Sequence, residues 1–189
     1  TDKHVYINDI KNLNFIGCDF KNLQPHLTDF SKRGFGIYSD DASFIVDAGC
    51  TSSVLPCSSY SDSSTFENLY YAITGDGSNQ YHYMKVDRSK FINNIGGIIN
   101  ANMDLSVIQR NDFNLGEGSH EFGYYGVYLA ESTGYLVTEN NFHNMDGAGA
   151  NNDSYGIVVS NSGIADNEIY KNDFTQCAYG IFAQRINSH

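Results

Sequence analysis

The sequence predicts an all-β fold, a right-handed single-stranded parallel β-helix of about six coils with loop insertions on one edge. Three observations lead there. First, a small or amide residue, any residue and then Phe recur six times, at Cys18-Asp19-Phe20, Ser64-Thr65-Phe66, Ser89-Lys90-Phe91, Asn111-Asp112-Phe113, Asn140-Asn141-Phe142 and Asn172-Asp173-Phe174. Second, each copy is followed by a strand-like signature: Phe35-Gly36-Ile37, Tyr71-Ala72-Ile73, Gly96-Gly97-Ile98, Tyr125-Gly126-Val127, Tyr155-Gly156-Ile157 and Tyr179-Gly180-Ile181. Third, a further apolar segment completes each period, starting at Phe44, Tyr81, Leu105, Tyr135 and Ile164.

The first signature reads as a corner. In Ile108-Gln-Arg-Asn111-Asp-Phe113 and its copies ending at Phe142 and Phe174, the apolar residue three before Asn and the Phe two after it differ in parity. One straight strand cannot turn both inward, because its side chains alternate with period two. The chain therefore bends at Asn, a residue that tolerates left-handed backbone. Inward-pointing Asn111, Asn140 and Asn172 are expected to form an amide ladder, continued by Ser64 and Ser89 and ended by Cys18. The second signature opens the next strand, with Ile or Val turned in and Gly admitting a close neighbour to the backbone. A β-sandwich would also place turns at such spacing, but it gives no reason for one corner residue to recur six times.

Spacing locates the insertions. Corner to corner is 22 residues from Ser89 to Asn111, but 29 to Asn140 and 32 more to Asn172. Segments 21–34, 114–124 and 143–154 lengthen the path from corner to Gly and leave the same edge, where a solenoid usually carries its working face. Segment 48–63 leaves another corner and holds Cys50 and Cys57 around a polar loop, for which a disulfide is expected in an oxidising compartment. Cys18 and Cys177, near opposite ends of the array, are expected to be small buried hydrophobes that do not pair. Residues 1–189 are read as one β-helix domain or a segment of a longer one.

The formal charge is −11 and the pI about 4.7, which disfavours nucleic acid and anionic membrane surfaces. No apolar run is long enough to span a bilayer. The start at Thr1 reads as a mature protein or an excised piece. Neither end shows a cap, so further β-helix coils or a capping partner are expected there.

The corner Asn and the Gly-Ile strand start resemble the right-handed parallel β-helix repeat proteins of the pectate-lyase-like superfamily, over nearly all of residues 5–186. The repeated Asn-x-Phe and Tyr-Gly-Ile are also similar to large secreted bacterial surface proteins, many of them exported by the type IX pathway. The superfamily resemblance implies that ligand lies along the Gly-Ile strand. Its first outward row would be Tyr38, Thr74, Ile99, Tyr128, Val158 and Phe182; its second Asp40, Asp76, Ala101, Ala130, Ser160 and Gln184. Flat rings at Tyr38, Tyr128 and Phe182 suit sugar stacking, unless the inserted loops cover them. Asp40 and Asp76 read either as a small acid pair or cation site or, more simply, as turn chemistry. A hydrolase needs paired carboxylates and a calcium-type lyase needs several with a base, and the middle coils supply neither.

Weaker candidates are calcium on the loop 146–153, a metal near Glu117, His120, Glu121 and His143, and a glycosylation triplet at Asn152. Arg88, Arg110, Glu139 and Lys171 fall just before the corner and predict an outward row of charge. The reading is a secreted or cell-surface, non-catalytic binding module for a glycan or a surface protein, without cofactor. The alternatives are a polysaccharide lyase or glycoside hydrolase and a structural stalk.

Overall fold

The computed structural model describes residues 2–24, 29–53, 56–78, 82–116, 123–145, 154–162 and 166–185. The chain visits three parallel sheets in the same order, repeat after repeat. The first repeat is β1 (Lys3–Asn8), β2 (Leu13–Ile16) and β3 (Asp19–Lys21). The second is β4 (Phe35–Asp40), β5 (Phe44–Asp47) and β8 (Thr65–Glu67), with β6 (Gly49–Cys50) and β7 (Tyr60–Ser61) between the last two. Then come β9 (Tyr71–Asp76), β10 (Met84–Asp87) and β11 (Lys90–Asn94), followed by β12 (Gly96–Ala101), β13 (Val107–Gln109) and β14 (Asp112–Leu115). The fifth repeat is β15 (Tyr124–Ala130), β16 (Leu136–Thr138) and β17 (Asn141–Asn144). The sixth is β18 (Ser154–Ser160), β19 (Glu168–Tyr170) and β20 (Asp173–Thr175), and β21 (Tyr179–Gln184) adds one more strand to the first sheet. The first sheet has seven strands, the second and third six each, an arrangement consistent with a β-helix.

Parallel strands in register put equivalent residues in columns about 4.8 Å apart, and the core is built from those columns. Phe20, Phe66, Phe91, Phe113, Phe142 and Phe174 form one continuous stack on the third sheet. Their centroids are separated in turn by 4.8, 5.1, 4.5, 4.7 and 5.1 Å, with rings within 13° of parallel. Facing it, Ile37, Ile73, Ile98, Val127 and Ile157 are fully buried on the first sheet. The second sheet adds Val46, Val86, Ile108 and Val137.

The two sequence signatures are one packing unit. A Cβ on Gly126 would meet the Phe142 ring at 2.4 Å, and one on Gly156 the Phe174 ring at 2.5 Å. The Gly of β12, β15 and β18 therefore makes room for the Phe two strands later.

The inward amides form a ladder. Asn140 Oδ1 accepts from the Asn111 backbone N–H and from Asn111 Nδ2, each at 3.0 Å. Asn172 Oδ1 receives the same pair from Asn140 at 3.0 and 2.9 Å. The amide nitrogens of Asn111, Asn140 and Asn172 also donate to the carbonyls of Val86, Ile108 and Val137. The Ser89 N–H donates to Asn111 Oδ1, and the Cys18 N–H donates to the Ser64 hydroxyl. A buried amide is tolerable only when its donors and acceptors are matched, and stacking supplies the match.

Several expectations are corrected. The left-handed residue at this corner is not Asn but its predecessor: φ is 49° at Arg88, 54° at Arg110, 57° at Glu139 and 52° at Lys171. The predecessor takes the bend, which leaves the Asn side chain aimed inward. A second corner, after the first sheet, recurs with Asp9, Asp41, Asn102, Glu131 and Asn161 at positive φ and has no single residue type. Strands expected from Tyr81, Leu105 and Tyr135 begin later, at Met84, Val107 and Leu136; Tyr81 and Ile164 themselves lie outside the described residues. The strands are not all parallel, because β6 and β7 form an antiparallel hairpin within the insertion 48–63. Cys50 and Cys57 close that hairpin as a disulfide, with Cα atoms 6.0 Å apart. Cys18 and Cys177 are free and only half-buried. Among the described residues the one helical element is a 3₁₀ turn, Phe30–Arg33, in the first insertion.

The charged row before the corner has a buried partner that the sequence reading did not include. The Asp87 carboxylate is fully buried and accepts from Arg88 Nη1 at 2.9 Å, Gln109 Nε2 at 2.8 Å and Arg110 Nε at 2.9 Å, with Arg110 Nη2 a further donor. That carboxylate raises the pKa of the Arg110 guanidinium. Arg88 also carries the hairpin, since the Tyr60 ring centroid lies 3.6 Å from its Cζ.

Candidate functional site

The first sheet is the longest, and its outer face carries three rows of side chains. Parallel register aligns Tyr6, Tyr38, Thr74, Ile99, Tyr128, Val158 and Phe182 as one row. Beside it run Asn8, Asp40, Asp76, Ala101, Ala130, Ser160 and Gln184. Both rows follow the expected alignment, and β1 extends each by one residue.

The sequence reading missed a third row. Because Gly turns its missing side chain into the core, the residue before it stands outside together with the residue two after it. Lys3, Phe35, Tyr71, Gly96, Tyr125, Tyr155 and Tyr179 therefore line up beside the first row. The repeated Tyr before Gly was visible in the sequence, but strict alternation from the inward Ile or Val would have placed it in the core, because Gly and the residue after it both face inward. Gly96 interrupts the row, and Tyr71 and Tyr125 lean over it with centroids 6.2 Å apart.

The face is chemically graded along the stack of repeats. At the β1 end, Lys3 Nζ sits 4.7 Å from the Tyr6 ring centroid and 4.1 Å from that of Tyr38. Asp40 Oδ2 accepts from Asn8 Nδ2 at 3.2 Å and from the Tyr6 hydroxyl at 3.3 Å. Asp76 is next to Asp40 in register. Burial and the two carboxylates raise the Tyr38 phenol. Asp41, one residue on, is a turn residue: its carboxylate accepts from the Ser78 N–H and hydroxyl, which lower its pKa.

The other end is aromatic and uncharged. Tyr125, Tyr128, Tyr155, Val158, Phe182 and Gln184 surround a cavity of about 310 Å³. Tyr155 and Tyr179 stack with centroids 5.0 Å apart, and Phe182 leans on both at 5.5 and 5.6 Å. Tyr125 packs against Tyr128 at 5.6 Å. The Gln184 amide donates to the Tyr128 hydroxyl at 3.3 Å. Burial and the neighbouring Tyr71 push the Tyr125 phenol far up, and a hydrogen bond from Tyr71 helps push Tyr70 up to about 12. Neither phenol ionises at physiological pH.

A second cavity of about 320 Å³ lies by the first insertion and has Lys21, Lys32 and Arg33 in its lining. Its lysines are matched locally: Lys21 by Asp19 and Glu67, Lys32 by Asp29. Among the described residues no group of three or more His, Cys, Asp or Glu comes together for a metal. The calcium candidate 146–153, the residues Glu117, His120 and Glu121, and the triplet at Asn152 lie outside the described residues. His143 is half-buried on β17. The chain matches no family model, no curated protein and no solved structure.

Proposed function

We propose that the protein is a right-handed parallel β-helix of the pectate-lyase-like kind, acting as a secreted or cell-surface, non-catalytic module that binds a glycan on the outer face of its first sheet. The observation that carries this reading is the pair of aromatic rows, in which Tyr125, Tyr128, Tyr155 and Phe182 gather round one cavity. Rings held by β-structure offer sugars an apolar platform at low entropic cost. The Cys50–Cys57 bridge fits an oxidising compartment. The right hand of the winding follows from the strong preference of parallel crossover connections. A binding role fits better than hydrolysis because the carboxylates of this face, Asp76 and Asp40, lie two and three repeats from the nearest wall of the cavity.

Retention on a panel of immobilised polysaccharides tests this. The protein is expected to be retained by at least one of them, releasing neither reducing ends nor unsaturated product. Tyr128→Ala is expected to lose retention roughly tenfold with its circular dichroism unchanged. Unaltered retention by that variant would remove the site, and product release would make the protein an enzyme.

A further inference from the structure

We infer that the aromatic end of the first sheet is a slot for a single uncharged pyranose ring, gripped on both faces, so that the ligand is a neutral glycan. The inference rests on the glycan-binding reading above and specifies its ligand. Tyr128, Val158 and Phe182 are successive members of one row on β15, β18 and β21. Two strand spacings therefore separate the aromatic walls, about 9.6 Å at the backbone. A ring in carbon–carbon contact with both walls needs about 7–8 Å, plus its own pucker. Val158, only 4% exposed, is a short floor between them, where a third aromatic residue would fill the slot. Tyr125 and Tyr155 stand at the side from which the strands enter. On the other side Gln184 reaches across to the Tyr128 hydroxyl and provides the one amide of the lining.

Charge decides the ligand class. None of the six lining residues is Lys, Arg or His, so among the described residues the cavity wall places no cation against a carboxylate or sulfate. The chain carries −11 overall and repels a polyanion. Hydroxyl and amide groups pair instead with neutral sugar hydroxyls.

Calorimetric titration with cellohexaose, xylohexaose, mannohexaose and chitohexaose, against hexagalacturonate, tests the assignment. At least one neutral oligosaccharide is expected to bind, with affinity unchanged between about 0.1 M and about 1 M salt, where screening shortens from about 10 Å to about 3 Å. Val158→Phe, which fills the floor, and Phe182→Ala, which removes a wall, are each expected to weaken it roughly tenfold. Tyr38→Ala, at the charged end, is expected to change it less than about twofold. Salt-sensitive binding of hexagalacturonate that is lost in Tyr128→Ala but indifferent to Val158→Phe and Phe182→Ala would overturn the neutral slot and leave the glycan reading standing. Absence of binding by every oligosaccharide and polysaccharide would overturn both.

Discussion

At the scale of single residues, the fold depends on side chains that each satisfy two neighbours. The Asn140 side chain receives two hydrogen bonds from Asn111 and gives one each to Ile108 and Asn172. Asn140→Ala strands the Asn111 N–H in a buried site, and a buried unsatisfied polar group costs about 1–3 kcal/mol. The expected loss is about 3 kcal/mol, read as a lower urea midpoint. Asn141→Ala, next in sequence but exposed, is expected to cost under about 0.5 kcal/mol. Equal effects would mean that the amide column does not carry stability. This column was legible in the sequence because inward residues repeat their identity. The left-handed predecessor was not, since Arg, Glu and Lys are not residue types that favour that conformation. Buried Asn94 and Asn144, which donate to the carbonyls of Phe66 and Gln176 at the third corner, also went unread, because insertions break their spacing.

At the scale of elements, strands and corners were readable to within a few residues and the surface rows to within one row. The outer rows of β15 and β18 break period two, because Gly and the Val or Ile after it both face inward, and a strict alternation count does not find that geometry. Asp87 shows the other limit. It occurs once, so no repeat marks it, yet it organises Arg88, Gln109 and Arg110 across two strands and, through Arg88, seats Tyr60 of the disulfide hairpin. Removing one partner of a buried pair costs about 3–5 kcal/mol. Because the arginines here are partly exposed, Asp87→Ala is expected near the lower limit, about 2–3 kcal/mol by thermal or urea unfolding. Hydrogen exchange in that variant is expected to speed up at the hairpin 49–61 beyond the general change. A protected hairpin would show that the disulfide and the β6–β7 pairing alone hold it.

At the scale of the whole molecule, each repeat touches only its neighbours, so stability accumulates along the stack and the ends are the weakest places. The inward row shows the gradient: Ile157 is fully buried, whereas Ile181 on the edge strand β21 is 50% exposed. The same regularity that stacks Phe rings inside lays three graded rows outside, and the function proposed follows from that grading. The measurement that tests this most directly is backbone and side-chain NMR of the protein titrated with the oligosaccharide that binds best. Shift changes are expected to concentrate on Tyr125, Tyr128, Tyr155, Val158, Phe182 and Gln184, fading along the first sheet toward Asp76 and Asp40. Changes centred on the Asp40–Asp76 end, on the second or third sheet, or spread evenly over the molecule would contradict the account.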